Sequence, residues 1–214
     1  MRVAFLSTAS FGVPALEALL TSNHEVVVVV TGPDKPAGRG RKIVSTPVKK
    51  HAENAGLPIL TPSSLKSVEF LRTFSAFRPE IAVVVAFRIL PEAVFDLPEH
   101  GTLNIHPSLL PAYRGPAPIQ WAILHGETRT AVTIFRITNR VDAGGILARE
   151  MVEIDPDETA GELAERIAPA GGRLLVSTID RLAHETISPI PQDEAKVTRA
   201  PKLAKEDGLS LIHI

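Results

Sequence analysis

The sequence predicts an α/β fold, a Rossmann-like doubly wound and mostly parallel sheet. Three observations carry that prediction. Apolar runs alternate with segments of helical periodicity along most of the chain. The first 30 residues read strand, helix, strand, which is the βαβ unit of a parallel sheet. The strand candidates at residues 26–30 and 81–86 are continuously apolar and largely β-branched, as strands buried on both faces are.

The elements follow in order. Residues 3–6 are a short apolar run closed by polar residues, read as a first buried strand. Residues 13–20 place Val13, Leu16, Leu19 and Leu20 at helical spacing, with Pro14 near the start where proline is tolerated. Residues 26–30 are all valine, a second strand. Residues 32–47 have no apolar periodicity and hold Gly32, Pro33, Pro36, Gly38, Gly40 and Pro47, so a long loop is expected. A helix is expected over 47–55 and a strand over 57–60. Residues 65–77 are amphipathic, with Val68, Leu71 and Phe74 or Ser75 on one side. The strand at 81–86 is followed by a short helix at 91–95. Residues 102–105 and 132–137 read as strands, with a helix at 117–124 between them. Residues 158–183 are the last long helix candidate, and Gly161, Pro169, Gly171 and Gly172 predict that it is broken. From residue 187 the chain turns polar and proline-rich, with Pro189, Pro191 and Pro201, as a linker or arm does.

Composition narrows the function classes. The chain has 214 residues, 44% of them hydrophobic and 22% charged, enough for a sizeable core. Its net charge of -1 gives no global attraction to nucleic acid, so any such partner must meet a local basic patch. Cysteine is absent, which excludes disulfides and thiolate metal sites. His24, His51, His125, His184 and His213 are scattered without metal-ligand spacing, so no metal is expected. The longest apolar run is far too short to span a bilayer, and a soluble, cytoplasmic monomer is expected. The turn after the first strand, Ser7-Thr-Ala-Ser-Phe-Gly12, lacks the glycine pattern of a dinucleotide site.

Chemistry concentrates in Leu103-Asn-Ile-His-Pro-Ser-Leu-Leu-Pro-Ala-Tyr-Arg-Gly-Pro-Ala-Pro118. Asn104 and His106 alternate at the end of a strand, so they share a face where an open α/β sheet binds ligands. Val141-Asp-Ala-Gly-Gly145 is a second loop after a strand, from which Asp142 could reach the same crevice or simply cap its own turn. An amide, an imidazole and a carboxylate suit acylation of an amine. The imidazole accepts the amine's proton. The amide donates to the developing oxyanion. The carboxylate raises the imidazole's proton affinity and orients it.

These segments resemble the signature of the 10-formyltetrahydrofolate-dependent formyltransferases, and the resemblance implies the formyltransferase fold. It makes Asn104 the oxyanion stabiliser, His106 the acid/base group and Asp142 its partner. It makes Ser108, Leu109, Leu110 and Pro111 the lining of the folate site. Phe87, Arg88, Ile89 and Leu90 resemble the family's pterin segment, which contacts the ring largely through backbone; Arg88 could equally be a surface ion-pairing residue. The implied co-substrate is 10-formyltetrahydrofolate.

Other segments resemble the methionyl-tRNA branch of that family. The stretch from Thr31 to Lys42 resembles the loop that grips the tRNA acceptor end, and Lys35, Arg39, Arg41 and Lys42 supply four positive charges for phosphates. Residues 113–120 and 200–208 match the same branch. The implied partner is initiator methionyl-tRNA. Glycinamide ribonucleotide and sugar-nucleotide N-formyltransferases share the Asn104–Pro111 run and stand as alternatives. The chain departs from the pattern at Phe87-Arg88, in place of Tyr-Gly, and at Ala143 and Gly145, in place of Thr and Asp. Full-length members of this branch continue for roughly another 100 residues, about one small domain. Residues 1–188 are therefore expected to be the catalytic domain, and 189–214 a linker towards a C-terminal domain absent from this chain.

Overall fold

The computed structural model describes residues 1–37, 42–204 and 207. A seven-stranded sheet forms the centre. In chain order the elements are β1 (Arg2–Ser7), α1 (Val13–Leu20), β2 (Glu25–Val30), β3 (Lys35–Ala37), β4 (Lys42–Val44), α2 (Pro47–Asn54) and β5 (Ile59–Leu60). Next come α3 (Val68–Ala76), β6 (Ile81–Val85), α4 (Glu92–Phe95), β7 (Thr102–His106), α5 (Pro118–Leu124), β8 (Arg129–Arg136), β9 (Ile146–Glu153) and α6 (Ala160–Ala183). The strand order is β5-β2-β1-β6-β7-β8-β9. Pairing is parallel from β5 to β7 and antiparallel at β7–β8 and β8–β9.

Strand alternation builds two cores. Val3 and Phe5 of β1 face the layer of α1, α2, α5 and α6. Ala4 and Leu6 face α3 and α4 on the opposite side, where Phe70, Phe74, Val94 and Phe95 pack. Both faces are covered, so the central strands read as unbroken apolar runs.

The structure departs from expectation in four places. The loop over residues 32–47 contains an antiparallel pair, Lys35–Ala37 with Lys42–Val44, which the glycines and prolines concealed. In α3 the buried side chains are Phe70 and Phe74, while Val68 is 81% exposed, because the larger aromatic pair wins the core face. Strand β9 was not anticipated. It is an edge strand whose exposed positions carry Arg149 and Glu153, with Glu150 half-buried on the other face, and those charges break its apolar signal.

The fourth departure is α6, which runs unbroken for 24 residues. Pro169 lies on its exposed face, where the carbonyl left without an N–H partner meets water. Gly171 and Gly172 do not interrupt the helix; they let it approach its neighbours. A Cβ at Gly171 would lie 3.0 Å from Ile105, and one at Gly172 would lie 2.8 Å from the backbone oxygen of Pro14. A full capping box at Thr159 and Glu162 starts the helix. Among the described residues no helix is long and apolar enough to cross a membrane.

Candidate active site

Strand β7 delivers two polar side chains into one cavity. Its volume is about 710 Å³, and Asn104 and His106 line it together with Asp142. The strand pairs with β6 on one side and β8 on the other, which fixes its register. After β8, the loop over residues 137–145 starts beside Thr102, where the Ile137 N–H donates to the Thr102 carbonyl. It then travels back along β7 until Asp142 stands beside His106. The amide, imidazole and carboxylate expected from separate segments therefore meet at one place.

His106 is buried, with its ring edge-on to Phe135. Its Nε2 lies 2.9 Å from the backbone carbonyl of Tyr113. A carbonyl can only accept, so the proton sits on Nε2 and the neutral ring carries its lone pair on Nδ1. Nδ1 faces Asp142 Oδ2 at 3.9 Å. Burial pushes the imidazole's pKa below its ordinary value, against the opposing pulls of the Asp142 charge and the Tyr113 carbonyl. The ring is thus neutral near pH 7, as a proton acceptor must be.

Tyr113 is itself anchored. It sits in the left-handed region at φ 61°, and its hydroxyl donates to Glu127 beside His125. Burial, followed by the Glu127 carboxylate, pushes the phenol up to about 12, so it stays a donor at neutral pH. Asp142 is also left-handed, at φ 52°, and its Oδ2 accepts from the Gly115 N–H at 2.9 Å. A β-substituted residue in that conformation is strained and must be held by its surroundings. Among the described residues, Asn104's side-chain amide has no protein partner, so its donors are free for a ligand.

The other candidates divide. Phe87, Arg88, Ile89 and Leu90 all line the cavity. Arg88 donates to the carbonyls of Pro62 and Ser63 and lies over the Phe87 ring, so its guanidinium braces the wall. Ser108, Leu109, Leu110 and Pro111 follow directly on Pro107, which lines the cavity. Ser108 is fully buried; its hydroxyl donates to Ala112, and its carbonyl accepts from Thr133. Leu110 is buried against Phe135 and Ile146. The turn through these four residues brings the Tyr113 carbonyl to His106.

Lys35 is exposed on β3, and Lys42 opens β4. Arg39 and Arg41 lie outside the described residues. The root of this hairpin adjoins the cavity. Gly32 packs near Thr8, and Thr8 donates to the carbonyl of Ala86, which lines the cavity. Phe11, Thr138, Asn139 and Arg140 also line it and were not singled out from sequence. The polar run after β8 was the available signal, since loops after strands frame such crevices. Among the described residues, no cluster of three or more His, Asp or Glu is placed to hold a metal.

Comparison with known proteins accords with this geometry. The formyl transferase family model matches residues 1–179. The methionyl-tRNA formyltransferase of Acidobacterium capsulatum is 47% identical over 210 residues, covering 97% of this chain and 68% of that protein. That of Desulfotalea psychrophila is 46% identical over 210 residues, covering 98% of this chain and 65% of that protein. The chain thus spans about two thirds of the length of these curated relatives. In structure it resembles glycinamide ribonucleotide transformylase 1 from Symbiobacterium toebii, with TM-score 0.73, 21% identity and coverage of 89% of this chain and 94% of that one, a likeness of fold. With a family match over most of its length and relatives this similar, the chain belongs to the methionyl-tRNA formyltransferases and comprises their N-terminal formyltransferase domain.

Proposed function

We propose that the chain moves a formyl group from 10-formyltetrahydrofolate to the α-amine of initiator methionyl-tRNA in the cytoplasm, with Asn104, His106 and Asp142 as the catalytic group. The observation that carries this reading is the convergence of those three side chains in one cavity beside an apolar wall. Phe87, Ile89 and Leu90 supply that wall, suited to a flat pterin ring held by neighbouring backbone groups.

The amine nitrogen attacks the formyl carbon, and the carbonyl π bond breaks to leave an oxyanion. The Asn104 NH₂ donates to that oxygen. Nδ1 of His106 takes the proton from the attacking nitrogen. The carbon–N10 bond then breaks and the same proton passes to N10, which releases tetrahydrofolate and formyl-methionyl-tRNA. Asp142 stabilises the transient imidazolium. No enzyme nucleophile is required, because the substrate amine attacks directly.

Lys35, Arg39, Arg41 and Lys42 are assigned to the tRNA backbone; of these Lys35 stands on β3 and Lys42 opens β4, beyond Gly32, which packs near Thr8 at the cavity's edge. The test is an acceptor comparison: 10-formyltetrahydrofolate is offered with methionyl-tRNA, glycinamide ribonucleotide or an amino-sugar nucleotide. Formylation of methionyl-tRNA well above the other two is expected. Formylation of a small acceptor alone would reject the assignment.

A further inference from the structure

We propose that Gln192 is a positioning residue for formyl transfer, its side-chain amide latching residues 189–201 across the loop that carries Asp142 and so holding that carboxylate against His106. This rests on the reading of Asp142 as the partner of His106.

The segment beyond α6 does not leave the domain at once. Ile190 exchanges both backbone hydrogen bonds with Ile146, and residues 198–200 pair with Arg114. The Thr198 hydroxyl accepts from the Tyr113 N–H, and Trp121 Nε1 donates to the Pro201 carbonyl. Two glycines make room for the strap: a Cβ at Gly115 would lie 2.3 Å from the Ala200 oxygen, and one at Gly145 would lie 2.6 Å from Pro189.

Gln192 sits at the crossing. Its amide oxygen accepts from Nε and Nη2 of Arg114 at 3.1 and 2.8 Å. Its amide nitrogen donates to the backbone carbonyls of Asp142 and Gly144 at 2.9 and 2.7 Å. A guanidinium only donates and a carbonyl only accepts, so a single orientation of a neutral amide satisfies all four bonds. A carboxylate could not donate there and an ammonium could not accept. Arg114 is only 2% exposed, and Glu194 closes the network by pairing it with Arg140 on the cavity rim.

The latch therefore grips the backbone of the left-handed Asp142 itself. Around His106, Asp142 is the ionisable side chain within ion-pair distance among the described residues; Arg140 lines the same cavity, and Tyr113 contributes its carbonyl.

The test is a double-mutant cycle on the full chain with Gln192→Met, of similar length but without a donor, and Asp142→Asn. Gln192→Met is expected to lower the single-turnover formylation rate roughly 10- to 100-fold while folate affinity holds, as misplacement of a catalytic group does. In the Asp142→Asn background it should have little further effect. An NMR titration of His106 gives a readout that needs no acceptor: the midpoint should fall in Gln192→Met towards that of Asp142→Asn, and the double variant should match Asp142→Asn. If Gln192→Met does not fold, Gln192→Glu, which still accepts from Arg114 but cannot donate to the two carbonyls, takes its place. Additive rate losses, or an unmoved His106 midpoint in a folded variant, would overturn the latch. Failure to formylate methionyl-tRNA would count against the acceptor assignment alone, since the titration still decides the latch.

Discussion

The proposed chemistry turns on which nitrogen of His106 carries its proton. The carbonyl of Tyr113 settles that, and Tyr113 is in turn held by its left-handed backbone and its hydroxyl bond to Glu127. Replacing His106 with alanine removes the acceptor for the amine's proton. Turnover should drop roughly 10²- to 10⁴-fold, the usual range for lost acid–base help, with folate binding retained. Turnover close to wild type would take His106 out of the mechanism. Titration adds a second check. Burial lowers the His106 pKa and Asp142 raises it, so the folded midpoint should lie below the ordinary 6.5, and Asp142→Asn should lower it further. An upward move in that variant would mean the carboxylate does not face the ring. The meeting of Asn104, His106 and Asp142 was legible because a strand's period of two fixes the first pair and a loop after the next strand offers the third. The tautomer was not legible, since it depends on a backbone carbonyl seven residues away, brought back by the buried turn at Ser108 to Pro111.

Helix α6 is where local propensity misled. Proline and three glycines within one periodic segment argue for a break, and each finds a different accommodation: an exposed carbonyl at Pro169, an open first turn at Gly161 and close packing at Gly171 and Gly172. Sequence lists the residue types but not what faces them. Two alanine substitutions separate these cases. Gly161→Ala meets nothing nearer than 3.8 Å and should raise stability by about 0.5 kcal/mol through helix propensity. Gly172→Ala gains the same propensity, yet its methyl falls 2.8 Å from the Pro14 oxygen of α1, and overpacking should cost a net 1–3 kcal/mol or about that. Denaturant midpoints moving in opposite directions would bear this out. A stabilising Gly172→Ala would mean α1 and α6 can separate without penalty. Strands β1, β2 and β6 were readable for the converse reason: covered on both faces, they are apolar almost throughout, so no tertiary knowledge was needed to find them. Edge strand β9, half solvated and charged, lacked that signature.

At the scale of the molecule the question is how a chain of net charge -1 engages a polyanion. Global attraction is absent, so recognition has to come from a local cluster close to the chemistry. On the proposed reading the segment holding Lys35, Arg39, Arg41 and Lys42 would meet that need, since Gly32 just before it packs near Thr8, whose partner Ala86 lines the cavity. The strap over residues 189–201 braces the Asp142 side of the same cavity, so the acceptor end would enter between a basic hairpin and a latched loop. This division of labour has a measurable consequence. Arg39→Ala should weaken methionyl-tRNA use while leaving folate binding alone, and the slope of log affinity against log salt should shrink by roughly 1, one phosphate contact fewer. A loss of rate at saturating tRNA with an unchanged salt slope would instead place Arg39 in the chemical step and leave the backbone contacts to other cations.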